Sequence, residues 1–372
     1  MKNRHDVRDF LKRYGGKAQV AADKLAEQIA LPETDKNHLS AEDFSIREIA
    51  EGCGIDTSGS ECTMTEGVTA SQFSILVGTL LSSVVMASYE AAAKVGNQLV
   101  TPFQSSLETD TIPGGYLEGE MEDIKELGKY PHLADVKEKS VTIGHGKKGL
   151  ILDITDESVR FDRTGIVMRE ANQMGEIMAL TRETEIINKI QDITGWKAWN
   201  PSGTNADLYQ NAQGDGIHDL DNLVVDVLAD YTDVQALYTL LRLMQNDDGK
   251  YINVVPKILL VPVALEIIAK RIINNTQLMG AANEERNPFA NAFQIISTPL
   301  LDAQSSVAWY LGDFKKQFLE KIVIPPEVRR RSMGDNNDQA WETDVLASYK
   351  IRHDIKVGST DYRFVGKSVG TG

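Results

Sequence analysis

Leu150-Ile151-Leu152-Asp153-Ile154-Thr155-Asp156-Glu157-Ser158-Val159-Arg160-Phe161-Asp162 holds a change of period. Leu150–Ile154 reads as a strand. From about Ser158 to Ile193 no proline occurs. Val167, Ala171, Met174, Met178, Ile186 and Ile190 fall close to helical spacing there, with Glu and Arg between them. The spacing predicts one helix over Ser158–Ile193, interrupted by Gly165 and Gly175 at about 1 kcal/mol each relative to Ala. At ~1.5 Å per residue such a helix would be on the order of 50 Å long, a girder rather than part of a compact globule.

Upstream, Val136–Ile143 is half charged and loosely alternating. Gly144-His145-Gly146-Lys147-Lys148-Gly149 is a glycine-rich turn. Val136–Ile154 is therefore expected to form a long two-stranded hairpin. Its charge keeps it out of the subunit core, and an isolated hairpin is marginal in water, so it is expected to lean on a neighbouring subunit.

Residues 1–52 are charged and helix-prone, broken at Leu31–Asp35, with a second helix start at Ser40-Ala41-Glu42-Asp43. Met1–Asp6 leads into no apolar run and reads as no signal peptide. No charge lies between Glu66 and Glu90. Ser74, Gly78, Thr79, Ser82 and Ser83 interrupt that stretch, and no basic flank sets a topology. A buried or subunit-facing helix to about Val100 is expected in preference to a membrane segment.

Downstream, Trp196–Gln213 reads as loop and Leu223–Leu228 as a strand or short helix. Thr232-Asp233-Val234-Gln235 matches a capping box. It opens a helix with Leu237, Leu240, Leu241 and Met244 on one face, closed by Asp247-Asp248-Gly249. Pro256–Val261 is an apolar strand, and Pro262 starts a helix through Ile267, Ile268 and Ile272. Short strands follow at Phe293–Ile296, Val307–Leu311 and Phe318–Ile324, stopped by Pro325-Pro326. Residues 220–325 thus read as a compact α/β domain. Residues 327–338 read as a charged linker. Tyr349, Ile351, Ile355, Val357, Tyr362, Phe364 and Val365 suggest strands returning to a sheet.

The chain has 372 residues, 42% hydrophobic and 25% charged, which excludes wholesale disorder. Acidic residues number 54 against 39 basic ones, a formal charge of -15. Phosphate backbones repel such a chain, which argues against dedicated DNA binding through a basic face. Cys53 and Cys62 fit neither a zinc knuckle nor a redox pair.

The six histidines form no His-x-His, His-x-x-x-His or Glu-x-x-His pair. Asp215–Asn222 is acidic but out of register for a calcium loop. Gly144–Gly149 lacks the residues of a phosphate loop, and no nucleophile elbow or dinucleotide fingerprint occurs. Asp226/Asp230 is a carboxylate pair of the kind that 54 acids produce by chance. Arg329-Arg330-Arg331 reads as a solvated turn, with an acidic neighbour or nucleic acid as the sharper alternative. No catalytic, cofactor-binding or metal-ligating residue is assigned. A long arm, a projecting hairpin and a girder helix suit an assembling subunit, because projecting elements lose entropy that only neighbours can offset.

The order of elements resembles the major capsid protein of tailed bacteriophages, a fold shared with encapsulin shells and the herpesvirus capsid floor. Three stretches carry the resemblance. Leu152–Asp162 is similar to the family's passage from hairpin to spine helix. Pro256-Lys257-Ile258-Leu259-Leu260-Val261-Pro262 is similar to its axial-domain strand and following helix. Asn287-Pro288-Phe289, Ala308-Trp309-Tyr310-Leu311, Tyr349-Lys350-Ile351-Arg352, Gly358 and Tyr362 resemble the Mu-like major head subunits in order and spacing. The pattern covers about 110–372; the first hundred residues match nothing in it.

The resemblance implies an α+β fold with an N-terminal arm at 1–110, an extended β-hairpin loop at 111–157 and a spine helix and peripheral domain at 158–219. It places a compact axial α/β domain at 220–326 and C-terminal strands returning to the sheet at 327–372. It implies a non-enzymatic head protein without cofactor, assembling as pentamers and hexamers into an icosahedral shell around double-stranded DNA without sequence-specific contacts. Portal, scaffold and decoration proteins are its further implied partners, with no membrane. Localisation would be the virion, assembled in the host cytoplasm. An encapsulin-like compartment and a soluble α/β enzyme with scattered site residues are the alternatives.

Overall fold

The computed structural model describes residues 67–92, 95–113, 140–161, 166–196, 207–210, 221–246, 249–275, 287–332 and 345–370, with 23, 24, 27, 28, 123 and 124. The readings on Cys53, Cys62, the first two helices, 215–220 and the residues between 333 and 344 lie outside them. Internal contacts divide the chain into two units. Unit 1 takes in Gly146–Thr181 and Ile324–Asp354 together with Met1–Lys94; unit 2 is Val95–His145, Arg182–Val323 and Ile355–Gly372.

Unit 1 holds two long helices, α1 (Gly67–Ala92) and the first part of α4 (Ile166–Ile190). A short helix, α3 (Asp156–Phe161), precedes α4, while α2 (Gly96–Leu99) belongs to unit 2. The girder is thus realised as α4, 25 residues and about 37 Å long, rather than as one helix from Ser158. Residues 162–165, with Gly165, lie outside the described residues. Val167, Ala171, Met174 and Met178 are buried as the spacing predicts, while Glu176 is exposed. The uncharged stretch forms α1, with Val77, Leu80, Leu81, Val84 and Val85 buried. Among the described residues no helix is long and apolar enough to cross a membrane.

Gly175 is the point where α1 and α4 touch. A Cβ there would lie 2.5 Å from the Val85 carbonyl oxygen and 2.8 Å from Ser88 Cβ. The Ser88 hydroxyl donates to the Asn172 carbonyl at 2.8 Å beside it. The glycine that looked like an interruption is what lets the backbones approach. The unit also contains β4 (Lys147–Thr155), antiparallel to the Val345–Asp354 part of β10 (Val345–Ser359).

This pairing corrects the expected hairpin. Among the described residues, Ser140–Ile143 and Lys147–Thr155 do not pair with each other. β3 (Ser140–Ile143) instead pairs antiparallel with β2 (Asp110–Pro113), and β4 takes β10 as partner. The three residues between β3 and β4 pass the chain from one pairing to another, and the two strands of the ribbon are separated in sequence by 114–139. Alternating Val141 and Ile143 are buried, so β3 needs an apolar seat that a free hairpin lacks.

Unit 2 is built on a five-stranded sheet of order β5-β11-β8-β6-β7, with β5 (Leu223–Val224), β11 (Val365–Ser368), β8 (Trp309–Gly312), β6 (Ile258–Val261) and β7 (Gln294–Ser297). β6 and β8 are buried at every position, as strands covered on both faces must be. Alternation sorts their side chains. Ile258, Leu260 and Tyr310 join one core with Ile186, Ile187, Ile190 and Trp196. Leu259, Val261, Trp309 and Leu311 join the other, with α5 (Tyr231–Arg242) and α6 (Val263–Asn274).

Two details of this domain differ from expectation. The box that opens α5 is Asp230 with Asp233, not Thr232: Asp230 accepts from the Thr232 amide at 2.8 Å, and Asp233 accepts from Asp230 at 2.9 Å. Aspartate caps at least as well as threonine, and Asp230 stands directly before the first helical residue, Tyr231. β9 (Phe318–Ser332) continues through Pro325-Pro326 and takes in part of the expected linker. Its parallel ladder with β1 (Thr101–Gln104) ends at Ile322, so the missing proline donors break no bond of that ladder.

Gly175→Ala separates packing from propensity. In a free helix the change favours folding by about 1 kcal/mol. Here the added methyl has no room, so the melting temperature should fall; a rise would show that α1 and α4 do not meet at Gly175. Met174→Asp should be far worse than Glu176→Ala, because it buries an unpartnered carboxylate.

Candidate functional site

The residues the sequence singled out for chemistry turn out to hold structure. Asp230 is consumed in its cap, and the Asp226 carbonyl accepts from the Trp309 indole at 3.2 Å and the Ser368 hydroxyl at 2.7 Å. His145 faces Glu108 at 3.9 Å. Arg329 pairs with Glu327, and the Arg330 stem would lie 3.3 Å from a Cβ on Gly78 of α1. Among the described residues no group of three His, Cys, Asp or Glu could hold a metal ion.

The motifs have local physical roles. The Asn287 side-chain amide donates to the Ile272 and Asn275 carbonyls, at 2.5 and 3.0 Å, closing the C-terminus of α6. Its oxygen accepts from the Phe289 amide at 3.0 Å, and Phe289 stacks on Phe293. At the other end of α6, Asp302 accepts from the Val263 amide at 2.8 Å. Tyr349 is buried beside Gly78, and Arg352 donates to Glu327 at 2.5 Å, a bond that holds the Glu327 carboxyl below its ordinary range.

The site that sequence reasoning missed lies at the start of β9 in unit 2. Glu320 and Lys321 are adjacent, fully buried and oppositely charged. Neighbouring residues of a strand point to opposite faces, so they cannot neutralise each other and each needs a partner of its own. Glu320 receives Arg182 of α4 as a fork, Nε to Oε1 at 2.5 Å and the second nitrogen to Oε2 at 2.6 Å; the remaining nitrogen donates to Asn97 at 2.8 Å. Bidentate geometry is what makes a buried guanidinium–carboxylate pair tolerable.

Lys321 faces the ribbon. Its ammonium lies 2.8 Å from the Asp110 carboxylate and donates to the Glu108 carbonyl at 3.2 Å and the Ile143 carbonyl at 3.4 Å. Those carbonyls flank or belong to β2 and β3, so one ammonium clamps both strands. Lys321, then Ser105, holds the Asp110 carboxyl below its ordinary value of 3.8. A lowered folded value means stability that is present above pH 3.8 and lost as pH falls through that lower value. Gly358 of β10 completes the seat: a Cβ there would meet Ile143 Cδ1 at 2.4 Å.

A trace of this was in the sequence. The apolar series Val167, Ala171, Met174, Met178, Ile186, Ile190 skips one turn, and Arg182 fills it, buried. A charge on the apolar stripe of a helix marks a buried partner elsewhere.

A second cluster sits after α4. Asp192, with φ 62°, accepts from the Leu208 amide at 2.5 Å; burial pushes its carboxyl up and pushes the Lys189 and Lys367 ammoniums down. Lys367 lies over the Tyr209 and Tyr310 rings at 5.7 and 5.8 Å. The arrangement pins the 207–210 loop to the sheet. It presents no nucleophile activated by a base.

Glu320→Gln should cost about 3–5 kcal/mol, because the Arg182 guanidinium stays buried against a neutral group. The double change Arg182→Met with Glu320→Leu should recover most of that loss. Thermal melts of the three chains check it; a Glu320→Gln melt equal to wild type would mean that the pair is not buried.

Comparison with known proteins follows this geometry. No curated protein matches the sequence. Among solved structures, the capsid structure of the cyanophage P-SCSP1u superposes with a TM-score of 0.50 at 12% identity, over 76% of this chain and 89% of that one. A chain of Microbacterium phage Oxtober96 matches with a TM-score of 0.49 at 10% identity, over 75% and 92%. The virus-like particle from Pyrococcus furiosus gives 0.43 at 11% identity, over 77% and 97%. The first of these likenesses establishes the fold. The profile of the family described as phage capsid protein matches residues 138–368. That span runs from β3 through α4 and both cores to β11, and with it the chain belongs to the phage capsid protein family.

Proposed function

We propose that this chain is the major head subunit of a tailed phage, assembling as pentamers and hexamers into an icosahedral shell around double-stranded DNA. The family match over 138–368 carries the reading. The geometry supports it: the buried charges of unit 2 fasten a spine helix and the root of a two-stranded ribbon, which is what a subunit that bears load through neighbours requires. The formal charge of -15 suits DNA held by confinement rather than by phosphate contacts.

Within this reading, residues 1–110 act as an arm and the extended loop falls within 111–157, closed at its base by β2 and β3. The spine and peripheral part are 158–219, the axial part 220–326, and 327–372 returns strands to the sheet. Portal, scaffold and decoration proteins would be partners of the assembled shell, and the virion its location, after assembly in the host cytoplasm. The subunit performs no catalysis.

Purified protein should sediment as oligomers or closed particles, visible by negative-stain microscopy. A lone stable monomer across concentrations would contradict the shell. Particles of uniform size that enclose a protein cargo and no DNA in infected cells would point to a compartment instead. Replacing 114–139 by Asn-Gly keeps the Pro113–Ser140 register of the ribbon. It should leave the melt within a few degrees of wild type and abolish particles; normal particles would show that the loop is decoration.

A further inference from the structure

Arg329-Arg330-Arg331 lies in β9, not in the solvated turn that its sequence suggests. Here β9 belongs to unit 1, in the sheet it forms with β10 and β4. Alternate side chains of a strand take opposite faces, so the run is divided. Arg330 takes the face that α1 covers: its stem and the Tyr349 ring are what a Cβ on Gly78 would meet. Arg329 takes the other face, where its Nε lies 2.9 Å from the Glu327 carboxylate and Arg352 of β10 reaches the same oxygen at 2.5 Å. Arg331 follows on that face, two residues along.

The register of β10 with β4 extends this face. Lys350 and Arg352 stand opposite Ile151 and Gly149, Asp354 opposite Lys147, and Ser348 opposite Asp153. Lys147, Arg329, Arg331, Lys350 and Arg352 thus share the face with Glu327, Asp153 and Asp354. The carboxylates are engaged locally: Glu327 by the two arginines, Asp153 by the Ser348 hydroxyl at 2.5 Å and Asp354 by the Gly146 amide at 2.8 Å. Lys147, Arg331 and Lys350 are exposed and have no carboxylate partner among the described residues. In a chain of formal charge -15 this surface is locally positive. Ile151 is the one large apolar side chain exposed on it among the described residues. An acidic peptide would need seats for its side chains, whereas a phosphate backbone needs only cations along its path.

We propose that this face of the β9-β10-β4 sheet contacts the phosphate backbone of double-stranded DNA, with Arg331, Lys350 and Lys147 as the contacting cations. The inference rests on the shell reading above, which supplies the DNA, and adds a local hold to it: confinement keeps the bulk of the DNA, and this face touches the layer next to the subunit. In the shell the face opposite α1 then turns inward. Same-face cations of one strand are about 7 Å apart and those of adjacent strands about 5 Å, a flat array that suits a rod of repeating charge. Contacts of this kind carry no sequence information, so the hold is the same wherever the DNA lies.

The test is binding of the unassembled full-length chain to a short DNA duplex of arbitrary sequence, followed across a salt series. Arg331→Gln with Lys350→Gln should weaken binding at least about tenfold at low salt and flatten the slope of log affinity against log salt by about 2, because each lost phosphate contact removes about 0.9. Lys270→Gln with Lys315→Gln is the control, since it removes two exposed cations of unit 2. Either pair takes two positive charges from -15 and leaves -17, yet the control should bind within about threefold of wild type, because the affinity comes from the cations that touch phosphate. Both variants should melt near wild type, as exposed substitutions do. No duplex binding by the wild-type chain at low salt overturns the contact. So does an equal loss in the control, because binding would then follow net charge and not this face. Poly-glutamate bound more tightly than the duplex, and lost with Arg331 and Lys350, also overturns it and assigns the face to an acidic protein partner. Particle formation is scored separately by microscopy: a chain that binds duplex through this face and never assembles keeps the contact and loses the shell, whereas normal particles with no duplex binding lose the contact alone.

Discussion

Glu320 and Lys321 oblige one strand to bind in two directions. Each is fully buried, and each is neutralised from a different face of β9. A buried charge without a partner costs several kcal/mol, so neither anchor can let go while the strand stays in place. Arg182 ties α4 to one face. Asp110 and the Glu108 and Ile143 carbonyls tie the ribbon to the other. The two elements that a shell subunit would extend toward neighbours are thus rooted in the same two residues.

The anchors are charged where an apolar contact would be simpler. Apolar packing tolerates sliding, because its gain depends on area rather than direction. A bidentate guanidinium–carboxylate pair has one geometry. At the root of a long lever, small angular errors grow with length, so directional fastening sets where the far end goes. Gly358 adds a steric stop beside the clamp, because no side chain fits between it and Ile143.

The strands and helices downstream of Leu223 in unit 2 were legible because their signals are local. Ile258–Val261 and Ala308–Leu311 announce buried strands by apolar runs, and Leu237, Leu241 and Met244 mark one helix face. The pairing of β3 was not legible: nothing in Val136–Ile154 says that its partner lies at 110–113, across 114–139. Periodicity specifies faces, and partners at long separation are chosen by burial. The same applies to Glu320 and Lys321, which read as ordinary charges in Phe318–Ile324 until the strand is seen to be covered on both sides. Gly175 was read as a weakness of the helix for the same reason, since its function belongs to Val85 and Ser88 of another helix.

Lys321→Met examined by hydrogen exchange with mass spectrometry tests the double anchor most directly. The change keeps the apolar stem and removes the ammonium. The account requires that 110–113 and 140–143 lose protection while β6 and β8 keep theirs. Unchanged protection of the ribbon would contradict it, because Lys321 would then not be what holds β2 and β3.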